Sequence, residues 1–320
     1  MTFSVLSTDK VSMEGLAPLI ADDRFEVTSV DDSSSPEFET ALATANALIV
    51  RSATKVGAEM LAKAPALAVI GRAGVGIDNI DVDAASESGV AVYNAPGGNT
   101  VAAAELTVAL MLTLTRHIAS ADRSMREGRW DRAAFKGVEL RGKTLGLIGA
   151  GRIGGEVAMR CTAFEMDVIA YDPYLPEERA AELGIRLVDL DTVVETADVI
   201  SCHVPLNDET RGMVNEDAMA RMRPGVRLIN ASRGGVIDEH ALAQALHAES
   251  IGGAALDVFE NEPLDANSPL REAPNLVLTP HLGASTVEAQ VGVAVEVAER
   301  IIETLADGDV SAAVNAARLD

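Results

Sequence analysis

Four positions in the second half of the chain carry groups able to move a proton or hold a carboxylate. Arg233 sits in Asn230-Ala231-Ser232-Arg233-Gly234-Gly235, Asp257 ends an apolar run, Glu262 lies in Phe259-Glu260-Asn261-Glu262-Pro263, and His281 in Thr279-Pro280-His281-Leu282-Gly283. Singly, each has a plain explanation as a surface base, a turn acid or a helix-entry residue. Together, a cation for a carboxylate, an imidazole to move a proton and an acid to orient that imidazole match what oxidation of an alcohol by hydride transfer requires. Strand ends of one parallel sheet converge on one edge, so the Arg, the Glu and the His are expected to meet there. His203, just before Val204-Pro205 at another strand end, is read as lining a cofactor cleft; His281 is the better base because Glu262 can orient it.

A hydride needs an acceptor, and the stretch from Lys143 to Asp172 reads as its site. Residues 143–154, KTLGLIGAGRIG, are a buried strand that breaks into a glycine-rich turn and opens a helix. Gly149, Gly151 and Gly154 fit G-x-G-x-x-G: the first for the tight turn, the second for close approach to a pyrophosphate, the third for packing helix on strand. Exposed amides and the positive helix end would hold the phosphates. After a helical stretch, Asp167-Val168-Ile169-Ala170-Tyr171 is a second strand with Asp172 at its end. An acid there suits a hydrogen bond to a ribose 2′-hydroxyl and repels a 2′-phosphate, which predicts NAD as cofactor.

The elements that must position these groups alternate short apolar runs with helical spacing. Strands are expected at 3–6, 25–30, 47–50, 67–70 and 90–93 in the first part, and at 186–188, 198–203, 226–230 and 252–256 beyond Asp172. The fold class is therefore α/β: two doubly wound parallel-sheet domains, a Rossmann-type dinucleotide domain inserted into a flavodoxin-like substrate domain. Residues 99–285 form the inserted domain, and 1–98 with 286–320 the other, because a final helix from Ser285 to about Leu305 leads to a tail that returns to the first part. Two strand-end loops of the first part carry unusual chemistry. Arg51-Ser52 offers a planar fork for a carboxylate or phosphate, with a surface ion pair as the alternative. The Gly71–Gly76 loop reads as a backbone-amide substrate contact or as a simple turn.

Asn94-Ala95-Pro96-Gly97-Gly98-Asn99-Thr100 is a breaker cluster, placed as the domain boundary. One long helix is expected from there to about Glu127, apolar on more than one face and so buried against a second subunit as well as its own core. Trp130, the single tryptophan, stands among bases with Arg132 and reads as an interface anchor or a local cover for the glycine-rich domain.

With 320 residues and 48% hydrophobic content the chain can bury two cores. Its net charge of −23 argues against nucleic acid or an anionic membrane as partner, and any anionic substrate needs a local arginine cluster. Cys161 and Cys202 lack metal-ligand spacing and are expected to be buried thiols; no metal is expected. No signal-like or membrane-length apolar segment is seen, so a cytoplasmic protein is expected.

These residues resemble the D-isomer-specific 2-hydroxyacid dehydrogenase family, with a resemblance to its phosphoglycerate-oxidising branch that covers nearly the whole chain. It rests on Arg51-Ser52-Ala53-Thr54-Lys55-Val56, on residues 72–79 (RAGVGIDN), Ala103-Ala104-Glu105-Leu106-Thr107, residues 147–154, Leu256-Asp257-Val258-Phe259 and residues 280–286 (PHLGAST). The resemblance implies NAD-dependent oxidation of 3-phosphoglycerate to 3-phosphohydroxypyruvate, the first step of serine biosynthesis. By it, Arg233 holds the substrate carboxylate, His281 is the acid/base, and Glu262 hydrogen-bonds His281. Asp257 contacts the nicotinamide amide, and Arg152, Ile153 and Asp172 line the cofactor. Arg51, Ser52, Gly74, Val75 and Asn99 touch substrate, and Arg132 reaches across a homodimer. Many relatives continue into a serine-binding module; this chain is expected to be a short form without it. The alternatives are a glyoxylate or hydroxypyruvate reductase, or an NAD-sensing corepressor of similar fold.

Overall fold

The structure, a computed structural model, describes residues 2–319. Its packing divides the chain into two compact units, Met1–Thr100 with Ala284–Asp320, and Val101–Gly283.

Among the described residues of the first unit, β1 (Phe3–Ser7), β2 (Phe25–Ser29), β3 (Ala47–Val50), β4 (Val69–Arg72) and β5 (Ala91–Asn94) form a parallel sheet in the order β2-β1-β3-β4-β5. The order reverses between β1 and β3, as in flavodoxin-like sheets. Alternation along each strand builds two cores. Val5, Ile49 and Val69 face the helix Val287–Ile302, while Leu6, Leu48, Ile70 and Val92 face Phe38, Leu42 and Leu61. That helix starts because the Thr286 hydroxyl accepts from the Ala289 N–H at 3.0 Å, and it buries Val293, Val297 and Ile301 at helical spacing. Each such side chain contributes roughly 1.5–3 kcal/mol. The tail returns to β5 through the Val314 N–H on the Val92 carbonyl (2.8 Å). Buried Asn315 completes the join: its Oδ1 accepts from Val92 N, and its Nδ2 donates to Ser86 Oγ and the Val90 carbonyl, all at 2.9 Å.

The second unit holds β6 (Thr144–Ile148), β7 (Asp167–Tyr171), β8 (Arg186–Leu187), β9 (Val199–Cys202), β10 (Arg227–Asn230), β11 (Gly253–Leu256) and β12 (Leu276–Leu278). All pairings are parallel, in the order β12-β11-β10-β9-β6-β7-β8, and the order reverses between β6 and β9. This is the Rossmann order with one strand added at the edge. One face packs Leu145, Leu147, Ile229 and Ala255 against Met111 and Leu114 of the helix Thr100–Thr115 and against Val157 and Cys161 of the helix Arg152–Ala163. The other packs Ile148, Ile200, Leu228 and Ala254 against Val193, Met219 and Leu242.

Two readings from sequence are corrected. β12 was not expected, because its three residues are only partly buried and too few to show a period. The single helix to Glu127 is instead two, Thr100–Thr115 and Ile118–Arg126, bent by 63°. His117 adopts φ 54° at the break, and the Val138 N–H takes the Thr115 carbonyl at 3.0 Å, so the returning chain ends the first helix. Among the described residues no single helix is long and apolar enough to cross a membrane.

Candidate active site

Where β6 and β9 diverge, the glycine turn follows β6. Gly149 takes φ +87°, and a Cβ there would lie 2.7 Å from the His203 carbonyl oxygen. A Cβ on Gly154 would strike the Gly149 carbonyl. Protein packing therefore demands those two glycines. Nothing lies within 4 Å of a Cβ built on Gly151, so the protein's own packing gives no reason for glycine at this exposed position. That open space is what a closely approaching pyrophosphate needs. The first bond of the following helix is Gly155 N–H to the Gly151 carbonyl (2.9 Å), which leaves the amides of Arg152, Ile153 and Gly154 ahead of the helical ladder. Arg152 is exposed and Ile153 half-buried, and the residues present fit a dinucleotide phosphate.

Asp172 ends β7 and reaches the turn: its Oδ2 accepts from the Ala150 N–H at 2.8 Å, and its Oδ1 from the amides of Tyr174 (2.9 Å) and Leu175 (3.1 Å). The carboxylate thus fixes the turn while keeping lone-pair capacity for a hydroxyl. His203, after β9, sets its Nε2 2.9 Å from Ser201 Oγ, and burial lowers its pKa to about 4. Its imidazole is neutral across the physiological range.

Arg233, Glu262 and His281 come together in this unit. Gly234 lies so close against the Phe259–Glu260 backbone that a Cβ has no room, which presses the Arg233 loop onto the Glu262 loop. His281 Nδ1 is 2.7 Å from Glu262 Oε2, and Glu262 Oε1 accepts from the Phe259 N–H at 3.1 Å. Desolvation is the largest influence on Glu262 and raises its pKa. Hydrogen bonds from His281 and Phe259, with the charges of His281 and Arg233, outweigh it and leave the carboxyl below its ordinary value. An ionised carboxylate only accepts, so Nδ1 carries the proton and the neutral ring presents Nε2 as a base. The His281 side chain is 45% exposed, open to a substrate.

Asp257, expected at the nicotinamide, follows β11. It is fully buried, its Oδ1 accepting from Thr279 Oγ1 (2.6 Å) and Leu282 N (2.7 Å) and its Oδ2 from Gly283 N (2.9 Å). The Asp257 carbonyl also takes the His281 N–H at 2.8 Å, which helps hold His281 at φ 56°. Asp257 shapes the loop that carries His281. Asn230 does the same for Arg233: its Oδ1 accepts from Ser232 N and Oγ (3.0 and 2.8 Å), and its Nδ2 donates to the Arg233 carbonyl (2.8 Å). Sequence reasoning passed over Asn230; its one signal is a buried-type polar residue closing an apolar strand.

In the first unit, Arg51 and exposed Ser52 follow β3. Gly74 follows β4, bonded through its N–H to the Arg72 carbonyl (2.7 Å), and Asn94 Nδ2 holds the Val75 carbonyl at 2.6 Å. Asn99 buries its Oδ1 without a hydrogen-bond partner among the described residues. Arg132 begins an exposed turn, Arg132–Phe135, beside Trp130, which is 79% exposed.

Residues 108–283 match the family described as D-isomer specific 2-hydroxyacid dehydrogenase, NAD binding domain. The D-3-phosphoglycerate dehydrogenase of Archaeoglobus fulgidus is 51% identical over 269 residues, 84% of this chain and 51% of that protein. The D-3-phosphoglycerate dehydrogenase of Bacillus subtilis is 47% identical over 313 residues, 98% of this chain and 59% of that protein. The chain thus spans little more than half the length of these relatives. A crystal structure of D-lactate dehydrogenase from Aquifex aeolicus, complexed with NAD and lactic acid, superposes with a TM-score of 0.82 at 31% identity, covering 96% of this chain and 97% of that one.

Proposed function

The chain belongs to the D-isomer specific 2-hydroxyacid dehydrogenase family, and from that premise we propose that it oxidises 3-phosphoglycerate to 3-phosphohydroxypyruvate with NAD, the first step of serine biosynthesis. The observation that carries the chemistry is the 2.7 Å pair of His281 and Glu262, with the charge of Arg233 acting on that acid. A bound NAD would supply the acceptor for the hydride released from C2 of the substrate. His281 Nε2 accepts the hydroxyl proton, Glu262 balances the imidazolium that results, and Arg233 holds the carboxylate and polarises the keto oxygen. Gly149, Gly151, Arg152, Ile153 and Gly154 cradle the cofactor phosphates, Asp172 faces the ribose, and His203 lines the cleft.

The names of the two relatives support the phosphorylated substrate. Arg51 binds its phosphate, and Ser52, Gly74, Val75 and Asn99 complete the contacts. Arg132 comes from the second copy of a homodimer formed through the region after Asn99. Exposed Val101, Ile118, Met125 and Trp130 support that interface. The activity is placed in the cytoplasm, where free, buried Cys161 and Cys202 remain reduced.

The test compares oxidation of 3-phosphoglycerate with reduction of hydroxypyruvate and glyoxylate by the wild-type protein. Preference for the phosphorylated acid is expected. Preference for the other two assigns a glyoxylate or hydroxypyruvate reductase, and no turnover with any of the three leaves an NAD-sensing corepressor.

A further inference from the structure

The reversal between β1 and β3 in the first unit is the place where an open α/β sheet takes a ligand, outside the carboxyl ends of its strands. Both strands end there in a loop, Thr8-Asp9-Lys10 after β1 and Arg51-Ser52-Ala53-Thr54 after β3. Asp9 and Lys10 take φ 59° and 54° in succession, the left-handed region that non-glycine residues rarely enter. A conformation of that kind persists only where the surroundings over-determine it. Asp9 Oδ2 accepts from the N–H groups of Arg51 (2.8 Å) and Thr54 (3.0 Å), and its Oδ1 accepts from Thr54 Oγ1 at 2.6 Å.

From the other side, Asn79 Nδ2 donates to the carbonyls of the same two residues, Arg51 at 2.7 Å and Thr54 at 2.6 Å. The loop closes on a bridge between Val56 and Ile80, with the Val56 N–H on the Asn79 carbonyl at 2.8 Å. Donors and acceptors of Arg51 and Thr54 are thus held by one acid and one amide, while Ser52 and Ala53 between them are exposed.

We infer that Asp9 and Asn79 are positioning residues that clamp the Arg51–Thr54 loop in the shape that binds the phosphate end of the substrate. This rests on the assignment of Arg51 to that phosphate. Asp9 is an acid beside a proposed anion site, and the clamp explains why it is tolerated there, since its oxygens are turned to protein donors. Geometry and charge therefore separate cleanly. Asparagine at position 9 keeps an acceptor for the two amides and loses the charge, whereas alanine loses both.

The test measures steady-state kinetics with 3-phosphoglycerate for Asp9→Ala, Asp9→Asn, Asn79→Ala and Arg51→Ala, with NADH binding as the check on the second unit. Amide hydrogen exchange over residues 50–56 is read on the same proteins. Asp9→Ala and Asn79→Ala are expected to raise KM at least tenfold, with a smaller fall in kcat and unchanged NADH affinity, and to speed exchange at Arg51 and Thr54. Asp9→Asn should return KM to within about threefold of wild type. If Asp9→Ala does not fold, Asn79→Ala, which touches the loop through carbonyls alone, decides. An unmoved KM in Asn79→Ala beside a raised KM in Arg51→Ala overturns the clamp and spares the Arg51 assignment. An unmoved KM in Arg51→Ala overturns that assignment instead, and exchange at residues 50–56 then judges the clamp, which fails if protection is unchanged.

Discussion

At the scale of single residues the site turns on who holds the proton. Glu262 has its folded pKa below the ordinary carboxylate value, so its favourable contribution is present above the unfolded pKa and is lost as pH falls through the folded one. Near neutrality it is ionised and keeps Nδ1 of His281 as the donor. Glu262→Gln keeps the shape but not the charge that balances an imidazolium. We expect kcat to fall about tenfold or more with KM little changed; equal kcat for the two proteins would remove Glu262 from the mechanism. Asp172 calls for a cofactor assay. Asp172→Ala should narrow the preference for NAD over NADP, measured as the ratio of kcat/KM, since no carboxylate then opposes a 2′-phosphate. Wild type equally efficient with both cofactors would sink the assignment. For His203 the folded pKa of about 4 lies below the ordinary 6.5. Between those values the unfolded chain binds the proton and the folded chain does not. Stability therefore rises with pH in that window and is lost on acidification, by at most about 1.4 kcal/mol per pH unit. The Tm of His203→Gln should fall less steeply from pH 6.5 to 4 than that of wild type, and parallel curves would contradict it.

At the scale of elements, several strand ends deliver a loop whose shape is set by a polar side chain from a strand end or a neighbouring loop. Asn230 bends the Arg233 loop, Asp172 ties the glycine turn to β7, and Asp257 at the end of β11 gathers Thr279, Leu282 and Gly283. The last case is the most exacting, because buried Asp257 must keep His281 in a left-handed conformation that costs on the order of 1–3 kcal/mol. Asp257→Asn cannot accept from all its donors with one oxygen. Stability is expected to fall by about 1–3 kcal/mol and kcat to fall with it, while the dissociation constant for NAD stays as in wild type. Denaturant unfolding and NAD titration read the two effects. Weaker NAD binding at unchanged stability would assign Asp257 to the nicotinamide instead.

At the scale of the whole molecule, the proposed function asks a chain of net charge −23 to bind an anion. Attraction has to be local, from arginines placed within a few ångströms of each anionic group, because screening confines a surface charge to roughly 8–10 Å. In the proposed function Arg233 serves the carboxylate end shared by all 2-hydroxy acids, so discrimination would fall to Arg51 and, in the proposed dimer, to Arg132. A charge-assisted contact to a phosphate dianion is worth about 1.5–3 kcal/mol. Arg132→Ala should therefore lower kcat/KM for 3-phosphoglycerate about tenfold or more and leave hydroxypyruvate and glyoxylate reduction nearly untouched. An equal loss on all three substrates would assign Arg132 a structural role.

Much of this was readable in the residues themselves. β7 was expected at 167–171 and is Asp167–Tyr171, and the other long strands lie within two residues of their expected ends, because buried parallel strands are continuous apolar runs closed by turn residues. The glycine spacing and the acid after β7 could be read as well, since both obey local backbone rules. What only the tertiary structure decided is the polar wiring between distant segments. That Asp9 meets Arg51, that Asp257 turns to Leu282 and Gly283, and that Val138 ends the helix at Thr115 all depend on segments distant in sequence that the fold brings together. A hydrogen bond between residues 25 or 42 apart leaves no periodicity in the sequence; it is specified by which strands are neighbours, and that order follows from how the whole apolar surface is buried.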